Sequence, residues 1–384
     1  MRYFIIAGEK SGDLHGANLV RELIKADPAA EVECWGGDLM EASGAKLLMH
    51  YKNTAYMGFV EVLKNLRGIR KNISLCKSQI ISSGPDLLIL IDYPGFNLRI
   101  AEWAKKSGFR VFYYISPKLW AWNEKRVKKV KKYVDRMYII FPFEETFYDK
   151  HNIRAIYCGN PLLDETEVKL TSLPDKDKCK RSLGLDDRPV IALLAGSRKS
   201  EVKHILPKML EVIPDFKDYR FIVAGVKNLP ETLYSDVAGS LDLQVIRDRT
   251  YEILHISDAA LVASGTATLE TALFDVPQVV CFRGDLLSML IAWMVIRVKY
   301  ISLVNLIAGE EIVKELVQYS LNRRNLVREL SSILPGGPGR RKMLDGYNKV
   351  KKILGPSGAS SRAAEDIVKT LSGFMRAGND QSVD

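Results

Sequence analysis

Two stretches of the chain have the residue types and spacing to act on a phosphorylated substrate. Asp92 follows a continuous apolar run, Leu87-Leu88-Ile89-Leu90-Ile91, and precedes the turn residues Tyr93-Pro94-Gly95. A carboxylate at the carboxyl end of a central parallel strand is a candidate general base, the alternative being an acid that only braces the turn. Ser264-Gly265-Thr266-Ala267-Thr268-Leu269-Glu270 follows a second apolar run, residues 256–263. Small residues there let the backbone turn into a helix whose first amides and dipole suit a diphosphate, with Glu270 far enough on to reach a ribose. Ordinary helix capping is the other reading of the same stretch. Arg198, after Gly196-Ser197 at a strand end, has the fork geometry to clamp a phosphate.

These residues need strands to carry them. Residues 3–7 read as a buried strand, leading through Gly8-Glu9-Lys10-Ser11-Gly12-Asp13 into a helix with Leu19, Val20, Leu23 and Ile24 on its apolar face. Gly8, Gly12 and Gly16 are spaced four apart, which is not the dinucleotide fingerprint, so NAD binding is disfavoured. Glu9 and Asp13 read equally as functional acids or as a solvated turn and a cap. Strands over 111–115 and 153–158 complete a first α/β half, and strands over 190–194, 220–225 and 279–283 form a second, with a helix expected around Ile312, Val313, Leu316 and Val317. The polar segment 164–188 separates the halves. Its Asp175-Lys176-Asp177 has no apolar strand behind it and reads as a solvated linker, not a metal pair.

Trp120 and Trp122, beside Pro117, suit a rigid wall for a sugar ring or an acyl chain, against the commoner fate of core packing. The following helix is expected to bury Val127, Val130, Val134 and Met137. Its other face carries Lys125, Arg126, Lys128, Lys129, Lys131, Lys132 and Arg136, a one-signed surface suited to anionic lipid or nucleic acid. The apolar patch 289–296, with Trp293 and a collar of Arg297, Lys299 and Tyr300, reads as a core helix or an interfacial anchor.

At 384 residues and 47% hydrophobic content the chain can build two full cores, and a net charge of +10 with pI near 9.2 points to polyanionic partners. Five cysteines with no CxxC pair favour neither a disulfide framework nor a zinc knuckle, and fit a reducing cytoplasm. No export signal is expected from the start of the sequence, and no apolar stretch reaches the roughly 20 residues a spanning helix needs.

Taken together, Gly8-Glu9-Lys10-Ser11-Gly12-Asp13, Ile91-Asp92-Tyr93-Pro94-Gly95-Phe96-Asn97, Ser116-Pro117-Lys118-Leu119-Trp120-Ala121-Trp122, Gly196-Ser197-Arg198, Gly265-Thr266-Ala267-Thr268-Leu269-Glu270 and Ser302-Leu303-Val304-Asn305-Leu306-Ile307-Ala308-Gly309 resemble, in order, motifs of the lipid-A-disaccharide synthase family. The resemblance implies a GT-B fold, two Rossmann-like doubly wound α/β domains facing a cleft, with C-terminal helices crossing back. The expected bounds are 1–165 for the acceptor domain, 166–345 for the UDP-sugar domain and 346–384 for a tail beyond the Pro335–Gly339 break. It implies inverting transfer of 2,3-diacylglucosamine from its UDP derivative to 2,3-diacylglucosamine 1-phosphate, forming a β-1,6-linked disaccharide and UDP. No metal or other cofactor and no nucleic-acid partner is implied. The enzyme would sit peripherally on the cytoplasmic face of the inner membrane, against an anionic surface, and a homodimer exchanging C-terminal segments fits the break.

By motif, Asp92 would be the base and Arg198 would stabilise departing UDP. Ser197, Ser264, Gly265, Thr266, Thr268, Glu270 and Asn305 would bind the nucleotide, and Glu9, Ser11, Asp13, Trp120 and Trp122 would line the acceptor side. Two positions depart from the family pattern: Gly95 stands where a second acid is usual, and Lys10 where a small residue is expected. The same scaffold also serves UDP-sugar epimerases and peptidoglycan-type transferases. A non-enzymatic binder of anionic lipid or nucleic acid is the reading from another class, and it leaves Asp92 unexplained.

Overall fold

Short apolar runs separated by amphipathic helices can satisfy their backbone only in parallel sheets covered on both faces, and the chain forms two of them. The structure, a computed structural model, describes residues 1–53, 66–122, 124–239, 241, 243–284 and 299–380. The apolar patch 289–296 lies outside the described residues. The chain divides into one unit of Met1–Pro161 with Ser357–Asp384 and a second of Leu162–Pro356.

The first unit holds Arg2–Ala7 (β1), Glu31–Gly36 (β2), Lys46–His50 (β3), Leu87–Ile91 (β4), Val111–Tyr114 (β5), Arg136–Ile139 (β6) and Ala155–Tyr157 (β7), in the order β3-β2-β1-β4-β5-β6-β7. The second holds Val190–Leu194 (β8), Arg220–Gly225 (β9), Gln244–Arg247 (β10), Ser257–Ala263 (β11), Gln278–Phe282 (β12) and Lys314–Val317 (β13), in the order β10-β9-β8-β11-β12-β13. Each sheet therefore reverses direction once, between β1 and β4 and between β8 and β11. Loops after two such neighbouring strands run to opposite faces and leave a crevice, where ligands bind in open α/β sheets. Alternation along β1 sends Tyr3, Ile5 and Ala7 into one core and Phe4 and Ile6 into the other.

Several elements differ from the sequence reading. The segment around Ile312 to Val317 is not a helix. Gly309, at φ +73°, ends the short helix Leu303–Ala308, and the chain then pairs with β12 as the edge strand β13. A spacing of two adjacent apolar residues repeated four apart fits a helix, but it is also met by a four-residue strand with a buried approach. The basic helix is shorter than expected, ending at Tyr133. Val127, Val130 and Tyr133 form its buried stripe, and Arg136 and Met137 belong to β6. Asp175 caps the helix Lys176–Ser182 by accepting from the Lys178 amide at 2.9 Å.

The chain crosses back later than the Pro335–Gly339 break. Arg340–Leu354 is a helix of the second unit, and Gly355-Pro356-Ser357-Gly358 leads to the helix Ala359–Asp380 in the first. Ala363, Ala364, Ile367 and Leu371 pack with Ala17, Val20 and Leu23 of the helix Lys10–Ala26. Asp366 fixes the register of that packing, since Arg136 donates to it from Nε and Nη2, each at 2.7 Å, and the Tyr138 hydroxyl donates at 2.7 Å. Truncating one member leaves the others half-buried without their partner. Asp366→Ala is expected to cost about 2 kcal/mol and to lower the urea midpoint of the first unit. An unchanged midpoint would mean that the apolar face alone holds the helix.

Candidate active site

In the first unit, Asp92 and Glu9 follow β4 and β1, the two strands at the reversal point. The chain leaves β4 through two consecutive left-handed residues, Asp92 at φ +41° and Tyr93 at φ +48°, and the neighbouring strand ends in a third, Ile115 at φ +62°. Such conformations cost free energy in residues with a Cβ, most in a β-branched one, and persist only where surrounding bonds impose them. Here they do. The Asp92 amide donates to Ile115 O at 3.2 Å, while its carbonyl accepts from Asn97 Nδ2 at 2.9 Å and from the buried Tyr113 hydroxyl. Gly8 is required by the same turn, because a Cβ there would lie 2.3 Å from the Tyr93 ring. Burial pushes the Asp92 carboxyl up to about 6; the charge of Glu9 adds to the rise, and Lys118 and the Tyr93 amide oppose it.

The other acceptor-side residues divide. Glu9 is half-buried ahead of the helix Lys10–Ala26 and accepts from the exposed Ser11 hydroxyl at 2.6 Å. Asp13 is buried, and its two oxygens accept from the Leu39 and Met40 amides at 3.2 and 3.1 Å, so it caps the helix Asp38–Ala42. Trp120 is half-buried, edge-on to Phe143 at 4.9 Å, and its indole donates to Glu144 at 3.0 Å. The Trp122 side chain lies outside the described residues.

Glu144 is not apparent from the sequence, where it is one acid on an amphipathic helix. It is buried, and it accepts from Ser116 Oγ, Trp120 Nε1 and the amides of Ile140 and Phe141 at 2.9 to 3.2 Å. Burial raises its carboxyl to about 7 even though all four of these bonds oppose the shift. It ties the Ser116–Trp120 segment to the end of β6.

In the second unit, the segments after β8 and β11 again meet at the reversal point. Gly196, at φ +104°, turns the chain after β8, and Glu201 accepts from the Ser197 and Arg198 amides at 2.9 and 3.2 Å. The Arg198 side chain is 73% exposed, 3.6 Å from Glu201 Oε1. After β11, the amides of Gly265, Thr266 and Ala267 begin the helix Thr266–Leu273 and have no carbonyl four residues back within it.

Three expected ligand contacts are instead parts of the scaffold. The Ser264 amide donates to Cys281 O at 3.2 Å and its hydroxyl to Ile301 O at 2.8 Å. Thr268 is fully buried, its hydroxyl donating to Gly265 O at 2.8 Å and accepting from the Leu303 amide at 3.3 Å. Asn305 is fully buried with its side-chain amide saturated: Nδ2 donates to Val313 O and to Glu315, and Oδ1 accepts from the Ile312 and Val313 amides, all at 2.8 to 2.9 Å. Polar residues in a motif look alike in sequence whether they face a ligand or tie loops together.

Glu270 is half-buried one turn into the helix. Burial and then the charge of Glu165 push its carboxyl up to about 7, and the Tyr251 hydroxyl lies 3.5 Å from Glu270 and 2.9 Å from Glu165. Among the described residues, no group of three or more acids, histidines or cysteines could hold a metal, and no helix is long and apolar enough to cross a membrane. The five cysteines are free and buried.

Solved structures share this architecture at low identity. The UDP-GlcNAc 2-epimerase of Neisseria meningitidis, solved with UDP-GlcNAc, superposes with a TM-score of 0.69 at 16% identity over 96% of this chain and all of that one. The kitacinnamycin glycosyltransferase gives 0.57 at 12% identity over 96% of this chain and 98% of that one. Those likenesses establish the GT-B fold, which epimerases and transferases have in common. Sequence separates the two. The family model described as lipid-A-disaccharide synthetase matches residues 3–368. The lipid-A-disaccharide synthase of Syntrophus aciditrophicus is 41% identical, with 94% of this chain and 95% of the relative covered, and that of Geobacter sulfurreducens is 37% identical, with 96% and 97% covered. With motifs, fold and near-complete coverage in agreement, the chain belongs to the lipid-A-disaccharide synthase family, glycosyltransferases that form the lipid A disaccharide in lipid A biosynthesis.

Proposed function

We propose that Asp92 takes the proton from the 6-hydroxyl of 2,3-diacylglucosamine 1-phosphate as that oxygen attacks the anomeric carbon of UDP-2,3-diacylglucosamine. A single displacement forms the new glycosidic bond, breaks the bond to UDP and inverts the anomeric centre. One base suffices for this chemistry, and no covalent enzyme intermediate is involved. The observation that carries the reading is the Asp92 turn: a carboxylate on a strained, multiply anchored backbone at the reversal point of its sheet, with its acidity weakened toward neutrality. Departing diphosphate would be met by the Gly265, Thr266 and Ala267 amides and by Arg198, whose side chain is largely exposed. Ser197, at the same turn, lies within this nucleotide segment, and Glu270 accepts from the ribose. Glu9 and Ser11 belong to the acceptor side with Trp120, whose ring suits sugar or acyl carbon.

Both substrates are anionic lipids, so the enzyme would work at the cytoplasmic face of the inner membrane. Lys125, Lys128, Lys131 and Lys132 are exposed on the short basic helix and the turn before it, whereas Lys129 is paired with Glu102 at 2.9 Å and Arg136 with Asp366. A homodimer in which Ala359–Asp380 is exchanged would bury the same Ala363, Ile367 and Leu371 face on a second copy.

Acceptor-dependent UDP release in detergent tests the reading. Asp92→Asn, which tolerates the left-handed turn, should lower turnover by about 10²- to 10⁴-fold while UDP affinity by calorimetry stays unchanged. Loss of UDP affinity in a folded variant would remove Asp92 from the role of base. Release that persists in EDTA is expected; release without acceptor would favour a hydrolase, and sugar isomer exchange without acceptor an epimerase.

The pH profile gives a second check. A base must be ionised to accept a proton, so with Asp92 raised to about 6 the rate is full above that pH and falls below it. The logarithm of kcat/KM should drop by about one per pH unit on the acid side; a profile flat from pH 7 to 5 would assign the proton to another group. For the membrane, Lys128→Glu combined with Lys132→Glu should weaken binding to phosphatidylglycerol vesicles, each charge contributing about 1 kcal/mol. Unchanged partitioning would exclude this helix as the contact.

A further inference from the structure

Glu165, on the helix Pro161–Ser172, faces Tyr251 of the helix Thr250–Ile256, and Tyr251 in turn lies beside Glu270. Nothing in the motifs draws attention to either residue. Tyr251 is stacked on Phe274 with ring centroids 5.2 Å apart and planes within 3°, and Phe274 lies one helical turn beyond Glu270. The phenol oxygen is therefore held at a fixed distance from the Glu270 backbone. A tyrosine hydroxyl has one proton to give. At 2.9 Å from Glu165 and 3.5 Å from Glu270, it gives that proton to Glu165. No other hydrogen-bond donor to Glu270 is found among the described residues, so a half-buried carboxylate is left without a close partner. Such a group costs free energy in the empty protein and is satisfied when a ligand supplies the donors.

We infer that Glu165 and Tyr251 are positioning residues for nucleotide binding: Glu165 draws the Tyr251 proton away from Glu270, which keeps the Glu270 oxygens open for the hydroxyls of a ribose. The inference rests on the ribose role of Glu270 proposed above. It explains why a second acid is placed where its charge is unfavourable to Glu270. Without Glu165, Tyr251 would turn its proton to Glu270 and form a charge-assisted bond that the ribose has to displace. Burial and the two flanking carboxylates raise the Tyr251 phenol far above its ordinary range, so it stays a donor throughout.

The test uses the full chain and calorimetric affinities for UDP and for 2′,3′-dideoxy-UDP, which lacks the ribose hydroxyls. The unaltered protein should prefer UDP by about tenfold or more. Glu165→Ala should bring that preference close to unity by weakening UDP alone, with affinity for the dideoxy compound unchanged. Glu165→Gln, which still accepts from Tyr251, should keep the preference. Adding Tyr251→Phe to Glu165→Ala should restore it, because the competing proton is gone. A general packing role for Glu165 predicts the opposite, a double variant no better than the single one.

Retained preference in folded Glu165→Ala, or no recovery in the double variant, overturns the inference. Glu165→Leu provides the same comparison if the alanine variant does not fold. Glu270→Ala separates the two levels of argument. It should abolish the preference, and a preference that survives overturns the ribose assignment itself and the inference with it.

Discussion

The first unit depends on the backbone anchoring of Asp92. In the proposed role of base, its carboxylate would have to meet a sugar hydroxyl at a defined point, which a relaxed loop could not ensure, because an ångström of freedom weakens such a transfer steeply. The chain meets this by leaving β4 in two left-handed steps and fixing the turn from three sides: the end of β5 at the amide, Asn97 on the next helix, and Tyr113 from within β5 at the carbonyl. Gly8 follows from the same requirement, since the Tyr93 ring occupies the volume a side chain would need. Strain at Asp92, Tyr93 and Ile115 is thus offset by hydrogen bonds to groups held by the sheet and by the helix that follows it. Reactivity and rigidity at this site come from one set of bonds.

Parallel topology explains why both candidate sites stand where they do. In each sheet the strand order reverses once, and the residues after the two strands at that point are Gly8 and Asp92 in one unit, and Ala195 and Ser264 in the other. Elsewhere the strand order runs on in one direction, which leaves no such crevice. Duplicating the architecture therefore duplicates the crevice, and the residue types differ between them. One crevice presents a weakened acid, the other a helix start with open amides and an arginine.

Much of this was legible in the residues themselves. Continuous apolar runs ending in glycine or proline turns located most of the strands, and the candidate base, because fully buried strands have few other sequence signatures. The second tier was not. Glu144, Glu165, Tyr251 and Glu201 sit on amphipathic helices, where an acid turned inward has the same spacing as one in solvent. Conversely, Asp13, Ser264, Thr268 and Asn305 look like ligand contacts but spend polar atoms on groups of the protein, mostly backbone. Buried loop carbonyls and amides must be satisfied, and a motif that joins tight loops needs such residues whether or not a substrate is near. The edge strand β13 was hidden for a different reason, since four residues are too few to separate a period of two from one of 3.6.

The buried acids show how the two tiers are told apart. Glu144, Asp92 and Glu270 are all raised by the same cause, burial, to about 7, 6 and 7. What differs is the number of donors each carboxylate receives. Glu144 has four, two from backbone amides and two from side chains, and so is complete without a substrate. Among the described residues, Asp92 receives the Tyr93 amide, and Glu270 has only a hydroxyl at 3.5 Å that is closer to another acceptor. A carboxylate with four donors has been used to build the protein. One left short of donors in a crevice retains the capacity to accept, which is what the proposed roles of Asp92 as base and Glu270 as ribose ligand require. Weakened acidity is common to all three, so it is donor count, added to position and strain, that separates Asp92, the proposed base, from Glu144 in the scaffold.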